Sequence, residues 1–222
     1  MKRLRKRMLS ILPLLAMAFS LMPASAMALT MEEILGNESE WTQFGGIRDI
    51  PDSDLQACMY MKTNEETWAA EYALVVEKKN RAPENGNFAI PDYDAVSETL
   101  WGEIYETTKY VFIGDGVTAI GDNAFCNMPI LEQVTVEEPS ALTRIGDAAF
   151  ANDRYLTISE KDGGERVLSL PNVTEIGEQA FLNCTSMGSN EASLVLGSQL
   201  ASVGKQAFYD TNISNITFTD LA

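Results

Sequence analysis

Four stretches of the chain repeat one arrangement of apolar and polar positions. Each has an aliphatic residue, then Thr or Ala, a variable position, Ile or Val, Gly, two mostly polar residues, Ala and Phe. The copies span Val117–Phe125, Leu142–Phe150, Val173–Phe181 and Leu200–Phe208. Their terminal phenylalanines are 25, 31 and 27 residues apart. Self-similarity at such a period is typical of solenoids, so the pattern predicts a chain wound into stacked coils.

Each position of the repeat has a physical role in such a coil. Phenylalanine is large enough to fill the space between coils, and the alanine before it is small enough for one coil to press on the next. Glycine permits a tight bend, either through a positive φ or through a close approach of two backbones. The polar residues after each glycine are predicted to form the solvent-facing first turn of a short helix.

Short runs of alternating apolar and polar residues lie between the repeats. Alternation of period two predicts half-buried strands. The runs are Tyr110–Ile113, Gln133–Val136, Arg166–Leu170, Ser193–Leu196 and Asn215–Phe218. We expect these five strands, one per coil, to lie side by side in a sheet. One of the longer coils carries Asp162–Gly164, which is predicted to be the turn of an inserted hairpin.

Residues 29–109 lack the repeat and are predicted to cap the first coil, whose apolar edge would otherwise face water. Thr63–Asn80 has apolar residues at helical spacing and is predicted to be an amphipathic helix, although Tyr72–Val76 alone also fits a strand. Tyr93–Tyr110 is predicted to be a second helix. The predicted fold class is therefore α+β, with a short solenoid of four to five coils over residues 110–222 behind a helix-containing cap.

The repeated phrases resemble a known family. Tyr110–Phe125, which reads YVFIGDGVTAIGDNAF, and Ala180–Cys184, which reads AFLNC, are similar to the BspA-type (Treponema pallidum-type) leucine-rich repeats. The resemblance covers residues 110–222 and implies a leucine-rich repeat solenoid. It also implies a secreted or surface protein of a bacterium, with a role in adhesion and protein binding and without catalysis.

The first 28 residues have the layout of a secretory signal peptide. Five basic residues precede an apolar run from Met8 to Met22, and small residues in an A-x-A pattern follow. The run is short for a membrane span and Pro13 interrupts it, so no transmembrane span is expected in the mature chain. Cleavage is predicted after Ala28, with Ala26 as the alternative. The mature protein is therefore expected to be extracellular, either secreted or at the cell surface.

Removal of this segment leaves a strongly acidic chain. The full sequence carries 16 Lys and Arg against 32 Asp and Glu, a net charge of −16. Five of the basic residues and none of the acidic ones precede residue 29, so the mature chain has a net charge of −21. Such a surface repels phosphate backbones, which excludes nucleic acid as a partner.

The residue types present narrow the possible chemistry. The sequence contains no histidine, which excludes Ser-His-Asp and Cys-His catalytic systems and histidine metal sites. The three cysteines, Cys58, Cys126 and Cys184, lack metal-ligand spacing, and whether any two form a disulfide stays open. No metal and no cofactor are predicted. A paired-carboxylate mechanism remains as an alternative for an acidic chain.

A binding surface is predicted on the exposed face of the strands. The mid-strand residues are expected to point away from the coils and to form one row: Phe112, Thr135, Ser169, Val195 and Thr217. Outward apolar residues favour a partner. We therefore expect a non-enzymatic binding or adhesion protein with a protein or glycan ligand, including host surface or matrix molecules. The alternatives are a secreted hydrolase with its carboxylates in residues 29–109, and a structural piece of a larger surface assembly.

Overall fold

A computed structural model describes residues 41–63, 68–114, 116–137, 140–158, 167–189 and 192–219. The predicted signal peptide with its cleavage point after Ala28 and the predicted hairpin turn at Asp162–Gly164 lie outside these residues. Within the described ranges the chain forms twelve strands and no α-helix, and a 3-10 turn lies at Val96–Glu98.

The strands divide into three sheets. In chain order they are β1 Thr42–Asp49, β2 Leu55–Thr63, β3 Ala70–Lys78, β4 Thr108–Ile113, β5 Ala119–Ile120, β6 Gln133–Val136, β7 Arg144–Ile145, β8 Val167–Leu170, β9 Glu175–Ile176, β10 Ser193–Gly197, β11 Ser202–Val203 and β12 Asn215–Thr219. The sheet orders are β1-β2-β3-β4-β6, β12-β10-β8 and β11-β9-β7-β5. Each of the first four coils thus supplies one longer strand and one two-residue strand, β12 adds a fifth longer strand, and the five predicted strands are confirmed.

The phenylalanines of the repeat form one column in the core. The ring centroids of Phe125 and Phe150 are 5.4 Å apart, and those of Phe150 and Phe181 are 5.2 Å apart. Phe208 continues the stack 5.2 Å beyond Phe181, and Trp101 extends it at the other end, 5.2 Å from Phe125. The rings of Phe125, Phe150 and Phe181 are at most 3% exposed. The predicted stacking of coils is confirmed by this column.

The repeat glycines allow successive backbones to touch. A Cβ atom added at Gly146 would lie 2.7 Å from both the amide nitrogen of Asp122 and the carbonyl carbon of Gly121. One added at Gly177 would lie 2.5 Å from the amide nitrogen of Asp147. Neither Gly146 nor Gly177 has a positive φ. Of the two roles considered for glycine, close approach is the one that the fold uses.

Positive φ values occur on residues that follow each glycine. Values between 49° and 66° are found at Asn123, Asn127, Ala148, Asn152, Gln179, Asn183, Gln206 and Asp210. A left-handed residue interrupts a helix, so the prediction of a short helix after each glycine is wrong. The turns stack through side chains as well. The side-chain amide of Asn152 donates to Oδ1 of Asn127 over 3.0 Å, and the side-chain amide of Asn183 donates to Oδ1 of Asn152 over 2.7 Å.

The N-terminal region is built from strands, and the prediction of a helix-containing cap is wrong. The first predicted helix contains β3, which pairs antiparallel with β2 and parallel with β4. Leu74 and Val76 of β3 belong to the main core, whereas Ala73 and Val75 belong to a second core on the other face of the sheet. A strand buried on both faces gives a continuous apolar run, which periodicity alone does not distinguish from a buried helix.

The second predicted helix is a series of turns. The backbone amides of Thr99, Gly102 and Ile104 each donate to the carbonyl three residues earlier, a spacing too tight for an α-helix. This arrangement still buries the apolar residues that suggested a helix, because Val96 and Trp101 are at most 4% exposed. The indole N–H of Trp101 donates to a main-chain carbonyl of the first repeat over 2.9 Å.

Residues 88–93 occupy the place of a preceding half coil. Ala89 forms a parallel bridge with Ala119, and the Asp122 amide donates to the Asp92 carboxylate over 2.8 Å. These contacts repeat those between later coils, where the Asp147 amide donates to the Asp122 carboxylate over 2.8 Å. The first repeat copy therefore has a backbone partner on its N-terminal side, which the sequence pattern did not indicate.

Candidate functional site

The mid-strand residues of the solenoid lie at matching register positions. Ser169, Val195 and Thr217 are paired across β8, β10 and β12, and Thr135 is paired with Phe112 across β6 and β4. Thr135, Ser169 and Val195 are half-buried, and Thr217 is exposed. We call Thr135, Ser169, Val195 and Thr217 the outer row.

The outer row faces away from the main core. Leu194 and Leu196, which flank Val195 in β10, are members of that core and are at most 3% exposed. Side chains alternate between the two faces of a strand, so Val195 projects from the opposite face. The row is thus a strip of short hydroxyl side chains with one aliphatic residue.

Phe112 lies at the same register position but is unavailable to a ligand. It is 0% exposed and forms the second core with Trp41, Cys58, Ala73 and Val75. Because β1, β2 and β3 extend the sheet past β4, the outward side chains at that end are apolar and bury one another. The prediction that Phe112 contributes to an exposed binding face is therefore corrected, and Trp41 is a core residue as well.

Charged residues border the second core and pair with one another. The Lys109 ammonium lies 3.1 Å from Oε1 of Glu71 and 3.3 Å from Oε2 of Glu132. The Lys62 ammonium lies 3.4 Å from Oε2 of Glu71 and 4.8 Å from the centroid of the Trp41 ring. Both carboxylates are therefore engaged by lysine, an arrangement that stabilises the sheet without supplying a free acid–base pair.

The long sheet is interrupted between β6 and β8. In the described part of the chain β6 pairs with β4 and β8 pairs with β10, and no ladder joins β6 to β8. The core-facing side chains beside this interruption, Val134 and Leu168, are half-buried. Their register partners on the far sides, Val111 and Leu194, are 0% exposed. The expected continuous sheet of five coil strands is therefore split into two parts.

A cavity of about 220 Å³ opens at this interruption. Val134 and Val136 line one wall, Leu168 lines the other, and Phe150 and Phe181 of the aromatic column also line it. The polar residues among its described lining are Thr135, Thr157 and Ser169. None of its described lining residues is charged. The cavity is suited to an uncharged apolar group, with Thr135 and Ser169 of the outer row at its edge; the Thr135 hydroxyl oxygen accepts a hydrogen bond from the Gln133 side chain over 2.7 Å.

Asp153 is a buried carboxyl group close to the aromatic column. Its Oδ1 accepts a hydrogen bond from the Met128 amide over 2.7 Å, whereas its Oδ2 has no hydrogen-bond partner. Burial raises the pKa of Asp153 well above the ordinary value of 3.8, and the bond from Met128 offsets only part of this effect. The neighbouring Cys184 thiol donates to the Phe150 carbonyl over 3.0 Å, and burial raises its pKa as well. Burial thus favours the neutral form of Asp153.

We predict that Asp153→Asn makes the protein more stable at pH 7 and has no such effect near pH 3. The unfolded carboxyl group loses its proton near pH 4 while the folded one keeps it, so stability falls as the pH rises above that point, by about 1.4 kcal/mol per pH unit. Asparagine keeps the acceptor for Met128 and cannot ionise. Urea unfolding of both proteins between pH 3 and 8 measures the difference. Asp210→Asn, at an exposed position, controls for the change in net charge. If the free energies of unfolding of the wild type and Asp153→Asn depend on pH in the same way, the burial of a neutral acid is contradicted.

Cysteine, metal and membrane chemistry add little to this picture. Cys58, Cys126 and Cys184 are buried free thiols, and burial raises the pKa of Cys58 to about 11. Across the described ranges, no cluster of three or more His, Cys, Asp or Glu residues is placed to hold a metal ion. The same ranges contain no helix with the length and apolar character of a membrane span.

Comparison with known protein families shows which type of repeat the coils resemble. Residues 165–221 match the family model described as "BspA type Leucine rich repeat region (6 copies)". This segment is therefore similar to BspA-type leucine-rich repeats. The first two copies of the phrase precede this segment and stack on it in register, since Arg144 and Ile145 pair with Glu175 and Ile176. The resemblance inferred from the repeated phrase is thereby confirmed.

Two solved structures of bacterial proteins are similar to this chain. One is a leucine-rich repeat protein from Eubacterium ventriosum ATCC 27560, at 19% identity and a TM-score of 0.47, covering 80% of this chain and 44% of that one. The other is a leucine rich cell surface protein from Faecalibacterium prausnitzii A2-165, at 20% identity and a TM-score of 0.47, covering 80% and 43%. The chain spans less than half the length of these two proteins. No curated protein matched the chain.

Proposed function

We propose that this chain is a non-enzymatic binding protein of the bacterial cell surface or extracellular space, with the outer row as its contact for a protein or glycan. The observation that carries the proposal is the alignment of Ser169, Val195 and Thr217 at one register position of three parallel strands, on the face away from the core. Residues 29–109 would serve as the cap and residues 110–222 as the binding solenoid.

The extracellular location rests on the N-terminal sequence. A basic segment, an apolar run and an A-x-A pattern are the three parts of a secretory signal, and its removal after Ala28 exposes a chain that begins just before the described fold. The similarity of residues 165–221 to BspA-type leucine-rich repeats accords with this location, because that resemblance implies a secreted or surface protein.

The chemistry of the outer row indicates what kind of partner it fits. Its hydroxyl groups at Thr135, Ser169 and Thr217 donate and accept hydrogen bonds, and Val195 offers an apolar contact. The chain carries a net charge of −16 in full and −21 without residues 1–28. A neutral or basic protein surface, or an uncharged glycan, is therefore favoured over an anionic polymer.

Two observations support binding over hydrolysis. Glu71 and Glu132 in and beside the N-terminal sheet both contact Lys109, so they do not face each other across an open cleft as a paired-carboxylate mechanism requires. The described lining of the cavity contains no carboxylate. A structural role within a larger assembly uses the same surface and is distinguished by the partner that is found.

A matched pair of variants tests the outer row. The protein from residue 29 onward is screened against host matrix proteins and glycans, and Val195→Glu is compared with Val203→Glu. Both replace a valine by glutamate, but Val203 lies in β11, in the opposite ladder, and is 48% exposed. We expect Val195→Glu to weaken the detected interaction about tenfold or more, since burying an unpaired charge at a contact costs more than 1.4 kcal/mol, and Val203→Glu to leave it unchanged.

Equal affinity for the wild type and Val195→Glu would remove the outer row as the contact. Circular dichroism of both variants establishes that each is folded before binding is measured. A partner that turns out to be another repeat protein of the same surface would instead support the assembly role.

A further inference from the structure

We infer that the cavity between β6 and β8 is a binding site for a small uncharged apolar molecule, either a fused aromatic ring or a short aliphatic chain. The site lies between the strands and beneath the outer row, and the inference does not depend on whether the outer row binds a macromolecule. It rests on three features of the cavity: its walls, its size and the absence of charged residues from its described lining.

The walls show that the strands are parted at this place. Neighbouring strands in a sheet lie about 4.8 Å apart, a distance that leaves no room for a cavity. Val134 and Leu168 would face each other across a continuous ladder, as Leu168 and Leu194 do across β8 and β10. Both side chains flanking the interruption are half-buried, whereas Leu194 is 0% exposed. The interruption thus leaves Val134 and Leu168 packed against the main core on one side and only partly covered on the side that faces the cavity.

The size of the cavity sets the size of the ligand. Protein interiors are close-packed, and voids larger than a water molecule are few. An apolar cavity of about 150 Å³ stays dry and takes up benzene. The cavity here measures about 220 Å³, so it has room for a group larger than one benzene ring. Indole, naphthalene and a chain of roughly eight carbons are of the right order.

The lining sets the chemistry of the ligand. Val136 and Leu168 provide apolar walls together with two rings of the aromatic column, and none of the described lining residues is charged. A charged group inside would lose its hydration without a partner. Thr135 and Ser169 also line the cavity, and their register positions place them on the outward face. A ligand with an apolar body and one hydroxyl, carbonyl or ring N–H group at its end fits this arrangement.

The test uses thermal unfolding of the protein from residue 29 onward with increasing indole, naphthalene or n-octanol, and with glucose as a polar control. We expect the unfolding temperature to rise with probe concentration and to stay constant with glucose, because a ligand of the folded state alone stabilises it by mass action. Ligand-observed NMR of the same mixtures is expected to show saturation transfer from protein methyl groups to the probe. Indole and n-octanol distinguish a ring site from a chain site.

A matched pair of valine variants locates the site. Val134→Phe places a ring in the cavity, and Val195→Phe places the same ring on the outer row of a neighbouring strand; both valines are half-buried, and only Val134 lines the cavity. We expect Val134→Phe to abolish the probe-dependent shift and to raise the unfolding temperature without a probe, and Val195→Phe to keep the wild-type shift. Leu168→Phe repeats the test from the other wall.

Two results would overturn the inference. One is a wild-type protein whose unfolding temperature and NMR spectra do not respond to any of the three apolar probes. The other is a response that persists in both Val134→Phe and Leu168→Phe, which would place the probe elsewhere on the protein.

Discussion

Replacement of Phe150 by alanine is expected to lower the free energy of unfolding by about 3–5 kcal/mol, the range for a large aromatic residue removed from a packed core. Phe150 is 2% exposed and stacks on both Phe125 and Phe181, so its loss leaves two rings without a neighbour. A domain is typically stable by about 5–15 kcal/mol, and the variant is therefore expected to be close to unfolding. Urea denaturation followed by circular dichroism measures the change.

Tyr155→Ala is the matched control for this experiment. Tyr155 belongs to the same coil and is 61% exposed, so its replacement is expected to change stability by less than about 1 kcal/mol. If the two variants lose similar free energies of unfolding, the stacked phenylalanine column is not a main source of the stability of the fold.

Gly146→Ala is expected to destabilise the protein by about 3 kcal/mol, although it adds a single methyl group. The new Cβ atom would lie 2.7 Å from backbone atoms of Asp122 and Gly121, and backbone atoms have no rotamer through which to move away. The two coils must therefore separate, which loosens the packing on either side and costs as much as a severe case of overpacking. Thermal and urea unfolding both report this loss.

Gly46→Ala separates this effect from the general consequence of replacing glycine. Gly46 has a φ of 76°, and a Cβ atom added there would meet no atom within 4 Å outside its chain neighbours, so alanine meets only local backbone strain. That strain costs about 1–2 kcal/mol. A Gly146→Ala protein no less stable than Gly46→Ala would contradict the close approach of the coils.

The solenoid follows from the sequence because its repeat is dictated by contacts between equivalent positions. When each coil places a phenylalanine at the same position after an alanine, the rings of successive coils stack on one another. The structure has this stack from Phe125 to Phe208. The glycine of each copy likewise follows from the need for backbones to touch. Local periodicity could fix these features because each coil is surrounded by near-copies of itself.

The N-terminal region was not predictable by the same reasoning. The run containing Ala73–Val76 is buried on both sides because a second core formed by Trp41, Cys58 and Phe112 lies on the far face of the sheet. Two-sided burial removes the alternation that identifies a strand, and no local signal reveals that a distant tryptophan covers it. The turns after each glycine differ from the predicted short helices for a related reason, since their left-handed residues include Ala148 and Gln179, for which that conformation is uncommon.

The candidate binding residues also include some that the sequence predicts and some that it does not. The alignment of Ser169, Val195 and Thr217 follows from strand alternation and parallel register, both of which the sequence indicates, whereas the parting of β6 from β8 separates Thr135 from them. Phe112 differs because the extension of the sheet by β1–β3 covers it. The cavity depends on the parting of β6 from β8. The coil between these strands is the longest in the sequence, and its length alone does not reveal whether the strands on either side of it are paired.

The stacking of phenylalanines from separate coils is measured most directly by NMR in a sample with isotope-labelled phenylalanine. Ring centroids 5.2 Å apart, as for Phe150 and Phe181 and for Phe181 and Phe208, place ring protons within the range of nuclear Overhauser effects. We expect cross-peaks between the rings of successive coils and slow exchange of the backbone amides beside them. Phenylalanine rings that show contacts with water and none with one another would contradict the stacked-coil fold, and with it the alignment of the outer row.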